Sequence, residues 1–240
     1  MATGLPDGLA GRRLVDLATG TGTVAIEAAK RGAAVTGVDL TDELLEVAQR
    51  RAADAGVDVI YKTGDFDHLG DCLHDEVFDV ITSSFGVIFA PDAKTTLGRL
   101  HPFLVPSGVF SVAAWDPDGV FMVPESMLSL MPERPAMPDM TLWTTRIEEL
   151  CSDAGWTVSS VDVNELHIPF ESVEDAAVQL EAWSGGFGSL FEMFDRAGDG
   201  ELARSRFEEH LANFAGPNTE GVSLKATYYT SGLRPPDADV

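Results

Sequence analysis

The segment LVDLATGTGTVAIEAA, residues 14–29, limits the possible folds more than any other part of the chain. It begins with an apolar run, continues with Asp16, and then turns tightly through Gly20 and Gly22. Apolar residues at helical spacing follow directly. A strand, a glycine turn and a helix in this order open a nucleotide-binding α/β sheet, because the turn needs unusual backbone angles and must let a ligand approach the main chain.

Two classes of ligand fit this turn. Gly20, Gly22 and Ala25 match the dinucleotide fingerprint, in which a pyrophosphate lies at the helix N-terminus. Asp16, just before the turn, argues against it, because a carboxylate repels a pyrophosphate and attracts a ligand that carries ammonium and sulfonium groups. The pattern therefore favours a cationic nucleoside, and a nicotinamide dinucleotide is the alternative that Asp16 disfavours.

Strand and helix patterns alternate through the first half of the chain. They predict strands at residues 13–18, 34–40, 57–62, 78–83, 109–115, 156–170 and 222–230. They predict helices at residues 23–31, 41–56, 91–104, 146–154, 173–183 and 201–214, with glycines at 185, 186 and 188 interrupting the last two. This alternation implies a parallel sheet with right-handed crossovers.

Two segments, residues 116–143 and 171–220, break the alternation after the fifth and sixth strands. Ligands of open α/β sheets bind beyond the carboxyl ends of the strands, so both segments are candidates for a substrate cap within a single domain of residues 1–240. Their methionine and aromatic side chains are suited to an adaptable apolar pocket; the alternatives are a core of the cap itself or a dimer contact. These residues are Met122, Met127, Met131, Met137, Met140, Trp183, Phe187, Phe191 and Phe194.

Composition narrows the classes of partner. The 240 residues, 45% hydrophobic, suffice for one sizeable core. The formal net charge of −23 repels nucleic acids and anionic membranes. The pair Arg50-Arg51 falls late in a predicted helix, where the helix dipole favours cations. No long apolar run and no signal peptide is found, so we expect a cytoplasmic protein without a membrane span.

The cysteines and histidines do not suggest a metal site. Cys72 and Cys151 stand apart from each other and from histidine at metal spacing, so we expect two reduced thiols. In the acidic loop that contains His68 and His74, no histidine lies at i, i+4 from a carboxylate on a clear helix. We therefore expect no metal ion.

Several segments together resemble the successive motifs of class I S-adenosylmethionine-dependent methyltransferases. They are VDLATGTG, GVDL, GDFDHL, FDVITSSFGVIFAPD and a helix followed by PSGV. The chain is most similar to an actinobacterial type that acts on small molecules, although Ala18 and Ser107 stand where many members have glycine. The resemblance implies an α/β fold with a Rossmann-like, seven-stranded methyltransferase sheet and helical cap insertions after strands 5 and 6.

The resemblance also implies which residues surround the methionine part of S-adenosylmethionine. The main chain at Ala18, Gly20 and Gly22 would approach it. Asp16 would help to orient its ammonium group, and the carbonyl of Ser83 would lie near the same group.

A second set of residues would hold the adenosine. Asp39 would accept hydrogen bonds from both ribose hydroxyls, and Leu40 would lie against the adenine. Asp65 would accept from the adenine amino group, and the main-chain N–H of Phe66 would donate to a ring nitrogen.

The chemistry itself requires few side chains. Methyl transfer from a sulfonium is an in-line displacement, to which positioning of the reactants contributes most. A general base helps only an acceptor with a proton of high pKa, and His167 and Asp116 are the candidates; the catalytic residues are otherwise unknown. The strand-four motif of amino-group methyltransferases, Asn/Asp-Pro-Pro-Tyr, is replaced here by SSFG at residues 83–86.

We therefore expect methyl transfer to a small, hydrophobic or aromatic metabolite, such as a natural product of polyketide type. The alternatives are a cofactor-binding member of the fold without methyl transfer, such as a cyclase or binding module, and a nucleic-acid or protein methyltransferase, which the acidity disfavours. Members of the family carry further N-terminal helices over the cofactor. Here we expect a more open pocket, a homodimer whose second subunit covers it, or a start that lies upstream.

Overall fold

The computed structural model describes residues 5–131, 138–183, 185–219 and 221–236. The chain divides into two compact units. Unit 1 contains Met1–Ala114, Met137–Asn164 and Tyr229–Val240, and unit 2 contains Trp115–Ala136 and Glu165–Tyr228. Unit 2 largely coincides with the two predicted cap segments, whose role as a substrate cap remains a prediction.

In the described part of the chain, eight strands form one sheet, in the order β3-β2-β1-β4-β5-β8-β6, with β7 paired to β8. The strands are β1 (Arg13–Leu17), β2 (Ala34–Asp39), β3 (Val59–Thr63), β4 (Phe78–Ser84), β5 (Leu104–Trp115), β6 (Thr157–Phe170), β7 (Ala215–Asn218) and β8 (Gly221–Arg234). The predicted α/β fold with an open sheet is confirmed, with eight strands where seven were predicted. Strand β7 was not predicted; it forms an antiparallel hairpin with β8.

The helices occupy the connections between the strands. They are α1 (Thr23–Lys30), α2 (Asp42–Asp54), α3 (Gly70–Leu73), α4 (Ala93–Leu100), α5 (Glu125–Leu128), α6 (Ile147–Ala154), α7 (Val173–Trp183), α8 (Gly185–Ala197) and α9 (Gly200–Ala212). None of these described helices has the length and apolar character needed to cross a membrane.

The first five strands run parallel, as the alternating pattern predicts. Strand β1 lies between β2 and β4, with Asp16 opposite Gly37 on one side and Thr82 on the other. Strand β3 pairs with β2, and Asp39 lies opposite Thr63. The carboxyl ends of β1 to β4 therefore lie side by side, and the strand order changes direction at β1 and β4, which is where α/β sheets bind ligands.

Two apolar clusters stabilise unit 1. Helix α1 packs on β1 and β2 through Leu14, Ala25 and Ala28, which are fully buried. In the second cluster, Phe110 of β5 contacts Trp143 and Trp156 edge-on, with ring centroids 6.3 Å apart in both pairs. Both clusters fix the sheet from which the loops at the strand ends project.

The predicted break between the fourth helix and the fifth strand is wrong. Helix α4 is shorter than the predicted helix 91–104: Asp92 caps it, and a 3₁₀ turn, His101–Phe103, follows it. Strand β5 begins at Leu104, so the Pro106-Ser107-Gly108 segment lies within it. The register between β4 and β5 shifts at this point, and the irregularity absorbs the extra residues that the sequence pattern placed before the strand.

Residues 171–219 of unit 2 contain three helices, α7, α8 and α9, where two were predicted. The glycines at 185, 186 and 188, predicted to interrupt the helical segment, lie in the first turn of α8. Its phenylalanines Phe187, Phe191 and Phe194 pack with Phe207 of α9 in the core of this unit. The prediction that these side chains line a pocket is therefore corrected: they are at most 7% exposed and form the unit's own core.

The prediction that the methionines line a pocket is also corrected. Met127 is fully buried in the core of unit 2, with Met131 packed against it, and Met140 is buried in unit 1. Met122 is half-buried. Met137 lies outside the described residues.

Candidate functional site

The glycine turn after β1 has the backbone conformation that its composition suggests. Gly20 and Gly22 have φ of 54° and 79°, and the N–H of Gly22 donates to the carbonyl of Thr19 at 2.9 Å. A Cβ added at Gly20 would meet no atom within 4 Å. The main chain at Gly20 is thus open to a ligand, as expected of a turn that holds a nucleoside.

Ala18, where many relatives have glycine, also has a positive φ, of 51°. Its methyl group points toward Gly86, in the loop after β4: a Cβ built on Gly86 would lie only 2.2 Å from the Ala18 Cβ. Glycine at position 86 therefore provides the space that the Ala18 methyl needs.

Asp16 lies behind the turn and is 2% exposed. Its two oxygens accept hydrogen bonds from the hydroxyls of Thr19, at 2.6 Å, and Thr82, at 2.7 Å. Burial raises the pKa of the Asp16 carboxyl to about 6, although these bonds and one from the main chain of Ala25 lower it. The carboxylate thus fastens the turn to β4, and a direct contact with an ammonium group would use its remaining acceptor position.

Asp39 joins the loops that follow β1 and β2. Its Oδ2 accepts from the N–H of Gly20 at 2.8 Å, and its Oδ1 accepts from the N–H of Thr41 at 3.0 Å. Each carboxylate oxygen has two lone pairs, so each keeps an acceptor position besides these main-chain bonds. The geometry is compatible with two ribose hydroxyls, the predicted partners.

The other predicted adenosine residues surround the ends of β2 and β3. Leu40 is 64% exposed, which is unusual for a leucine beside a buried carboxylate. The N–H of Gly64 donates to the carbonyl of Asp39 at 2.9 Å and so brings the two strand ends together. Asp65 caps the 3₁₀ turn Phe66–His68 by accepting from the Asp67 N–H at 2.8 Å, and Phe66 is half-buried.

Ser83 ties the end of β4 to the glycine turn. Its hydroxyl donates to the carbonyl of Leu17 at 2.9 Å and accepts from the N–H of Val87 at 3.1 Å. The side chain is fully buried. Together with Gly86, it places the loop after β4 against the turn.

Sequence reasoning missed two residues that hold this arrangement. The sequence pattern placed Thr82 only within the fourth strand. A polar residue within a largely apolar strand indicates a buried hydrogen bond. Arg51, interpreted as favourable to the C-terminal dipole of α2, donates from Nη1 to the carbonyl and hydroxyl of Thr21, at 2.8 and 2.6 Å. No local sequence pattern indicates that contact.

Both candidate bases belong to unit 2, whereas the residues just described belong to unit 1. Asp116 caps its own turn by accepting from the Asp118 N–H at 3.1 Å, and its N–H donates to the carbonyl of Thr227 at 3.0 Å. His167 is exposed on β6, near Glu165. Neither placement identifies a catalytic base.

A cleft of 690 Å³ in unit 1 lies elsewhere, between β5, β6, β8 and residues 5–7. None of the predicted cofactor residues lines it. The ends of β1 to β4 remain the candidate site, because the predicted cofactor residues lie there, where the strand order changes direction.

Comparison with known proteins supports the expected cofactor class. Residues 14–108, which contain every predicted cofactor residue, match the family model of a methyltransferase domain. This part of the chain is a methyltransferase domain. A solved S-adenosylmethionine-dependent methyltransferase from Thiobacillus denitrificans, in complex with S-adenosyl-L-homocysteine, has the same fold: the TM-score is 0.53 at 18% identity, covering 94% of this chain and 86% of that one.

Two relatives extend the comparison. An uncharacterized protein of Mycobacterium tuberculosis is 28% identical over 227 residues, covering 93% of this methyltransferase and 77% of the relative. A ubiquinone biosynthesis O-methyltransferase from Actinobacillus pleuropneumoniae is 35% identical over 106 residues, covering 43% of this chain and 45% of that protein. The second similarity covers less than half of either chain.

Proposed function

We propose that this methyltransferase transfers the methyl group of S-adenosylmethionine to a small, hydrophobic or aromatic metabolite. The observation that carries the cofactor part is the Asp39 carboxylate, which holds two loops by their N–H groups and keeps acceptor positions for a ribose. The open backbone at Gly20 and the exposed Leu40 support the same site.

The cofactor residues that we propose fall into two groups. Asp16, Ala18, Gly20, Gly22 and Ser83 form the methionine side, where the turn supplies main-chain groups and Asp16 a negative charge. The adenosine side contains Asp39, Leu40, Asp65 and Phe66.

The evidence for the proposed acceptor class differs from the evidence that the sequence pattern offered. The phenylalanines of unit 2 are core residues, so they no longer support an aromatic acceptor. The partial similarity to an O-methyltransferase of ubiquinone biosynthesis supports one instead. The high net negative charge of −23 argues against nucleic-acid acceptors.

The proposed mechanism depends on positioning. The bound cofactor supplies an electrophilic methyl group, and the protein has to align an acceptor atom with it. The loops held by Asp16, Asp39 and Ser83 are rigidly connected, which reduces the entropy lost on binding. A phenolic acceptor would also need a group that takes its proton.

Calorimetric titration tests the cofactor site. S-adenosylhomocysteine should bind and NAD should not, and Asp39→Ala should weaken binding about tenfold or more because charged hydrogen bonds are lost. Asp54→Ala, at an exposed position, is the control for charge. Tighter binding of NAD, or unchanged affinity in Asp39→Ala, would contradict the assignment.

Transfer of a labelled methyl group tests the acceptor class. Phenols and quinols, small amines, carboxylates and RNA would each be incubated with the protein and labelled S-adenosylmethionine. Labelling of phenols or quinols is the expected result. Labelling of RNA alone, or binding of cofactor without transfer to any class, would refute the proposed acceptor.

A further inference from the structure

The glycine turn is held by Asp16 behind it and also by Arg51 on its outer side. Arg51, in the last turn of α2, places its Nη1 within hydrogen-bond distance of three acceptors: the carbonyl and hydroxyl of Thr21 and, at 3.2 Å, the hydroxyl of Thr23. Thr21 lies between the two glycines of the turn, and Thr23 is the first residue of α1. One guanidinium therefore joins the end of α2 to the turn and to the start of α1.

This placement is not explained by the helix dipole. The guanidinium lies at the N-terminus of α1, where the dipole disfavours a cation. The N-cap residue of that helix, Gly22, supplies no side-chain cap. The hydrogen bonds to Thr21 and Thr23 must therefore account for the position of Arg51.

The turn has a particular need for such a contact. Its glycines have large backbone freedom, which a folded site has to restrict before a ligand can use the main chain. Asp39 restrains Gly20, and the Gly22 N–H is restrained by Thr19. The carbonyl of Thr21, between them, is restrained by Arg51.

We propose that Arg51 is a positioning residue for the cofactor, which it does not touch: it keeps the glycine turn in the conformation that binds S-adenosylmethionine. This inference rests on the proposed function of the turn. If a variant's turn is competent for only a fraction of the time, its apparent affinity falls by that fraction. A stabilising role alone would lower the melting temperature and leave the affinity of the folded protein unchanged.

The test compares Arg51→Met with Arg50→Met. Arg50 is the exposed neighbour on the same helix, and its side chain has no hydrogen bond or ion pair to the residues that the structure describes. Both variants remove one positive charge. Calorimetry with S-adenosylhomocysteine should give an affinity about five- to tenfold lower for Arg51→Met, since the competent fraction falls. Arg50→Met should match the wild type. Arg51→Lys, which keeps one cationic donor nitrogen, should restore part of the lost affinity.

Hydrogen exchange without ligand provides a second measurement. The amides of residues 20–24 should exchange faster in Arg51→Met than in Arg50→Met. Equal affinities in the two variants, with a wild type that binds, would overturn the positioning role while leaving the cofactor site intact. If the wild type does not bind, the cofactor proposal fails, and exchange alone decides: faster exchange supports the restraint on the turn, and equal exchange refutes it.

Discussion

At the scale of single residues, the contact between Ala18 and Gly86 makes an unusually sharp prediction. Gly86 has φ of −105°, which alanine adopts readily, so Gly86→Ala should fail only because its Cβ would lie 2.2 Å from that of Ala18. We expect a loss of about 1–3 kcal/mol in the free energy of unfolding, the usual cost of overpacking.

The double variant is the control for this prediction. Ala18→Gly removes the opposing methyl group and suits the positive φ of 51°. Ala18→Gly with Gly86→Ala should therefore recover most of the stability in urea denaturation. If the two effects simply add, the two methyl groups do not compete for one space.

Asp16 predicts a dependence of stability on pH. Burial raises its pKa from 3.8 to about 6, so between these pH values the folded protein binds more protons than the unfolded chain. Stability from this group consequently falls as the pH rises through that window, by on the order of 3 kcal/mol in total.

The variant Asp16→Asn removes this titration. Its free energy of unfolding, relative to the wild type, should increase from about pH 4 to pH 7, as measured by denaturant titration at each pH. The exposed Asp54→Asn should show no such increase. A difference between Asp16→Asn and wild type that stays constant with pH would contradict the raised pKa.

At the scale of elements, one arginine and one phenylalanine hold helices α7, α8 and α9 of unit 2 together. Arg204 of α9 pairs with Glu181 of α7 at 2.6 Å and with Asp195 of α8 at 2.7 Å. Phe207 of α9 is fully buried, with its ring centroid 4.8 Å from that of Phe187 and 5.5 Å from that of Phe191. The helices thus share both a charged contact and an aromatic core.

Truncation of this core should be costly. Phe207→Ala should lower the free energy of unfolding by about 3–5 kcal/mol, because a large buried side chain leaves a cavity. Leu202→Ala, on the same helix but 45% exposed, should change it by less than about 0.5 kcal/mol. Similar effects of the two substitutions in thermal denaturation would show that Phe207 is not a core residue.

Helix α8 was not predicted, although its own sequence contains a helical pattern. Phe187, Phe191 and Phe194 recur at the spacing of one helical face, so the signal for α8 was present in the sequence. The three glycines near its start favoured the prediction of an interruption over that of a helix. Packing against Phe207 outweighs the low helix propensity of glycine, because burial of aromatic side chains stabilises more than a few glycines cost.

For the whole molecule, the net charge of −23 predicts a response to salt. Mutual repulsion of the carboxylates destabilises the compact state, and salt screens it over about 10 Å at 0.1 M. The melting temperature should therefore rise between about 0.02 and 0.5 M NaCl at pH 7. The rise should shrink at pH 5, nearer the pI of about 4.3; an equal rise at both pH values would assign it to another effect of salt.

The sequence by itself determined the parallel strands β1 to β5, helices α1 and α2, and the resemblance to a methyltransferase domain. These features depend on periodicity, glycine positions and turn residues within short stretches, which are readable without partners. The carboxylates Asp16 and Asp39 could be assigned to the site because their places at strand ends follow from the same local pattern. Their cofactor roles remain predictions.

Only the tertiary structure decided what these residues bond to. Asp39 reaches Gly20 across 19 positions, Arg51 reaches Thr21 across 30, and Thr82 reaches Asp16 across 66. Such contacts arise when the strand order brings distant segments together, and no local periodicity in the sequence predicts them. The same holds for Ala18 and Gly86: an alanine with a positive φ is accommodated because a residue on another strand's loop has no side chain.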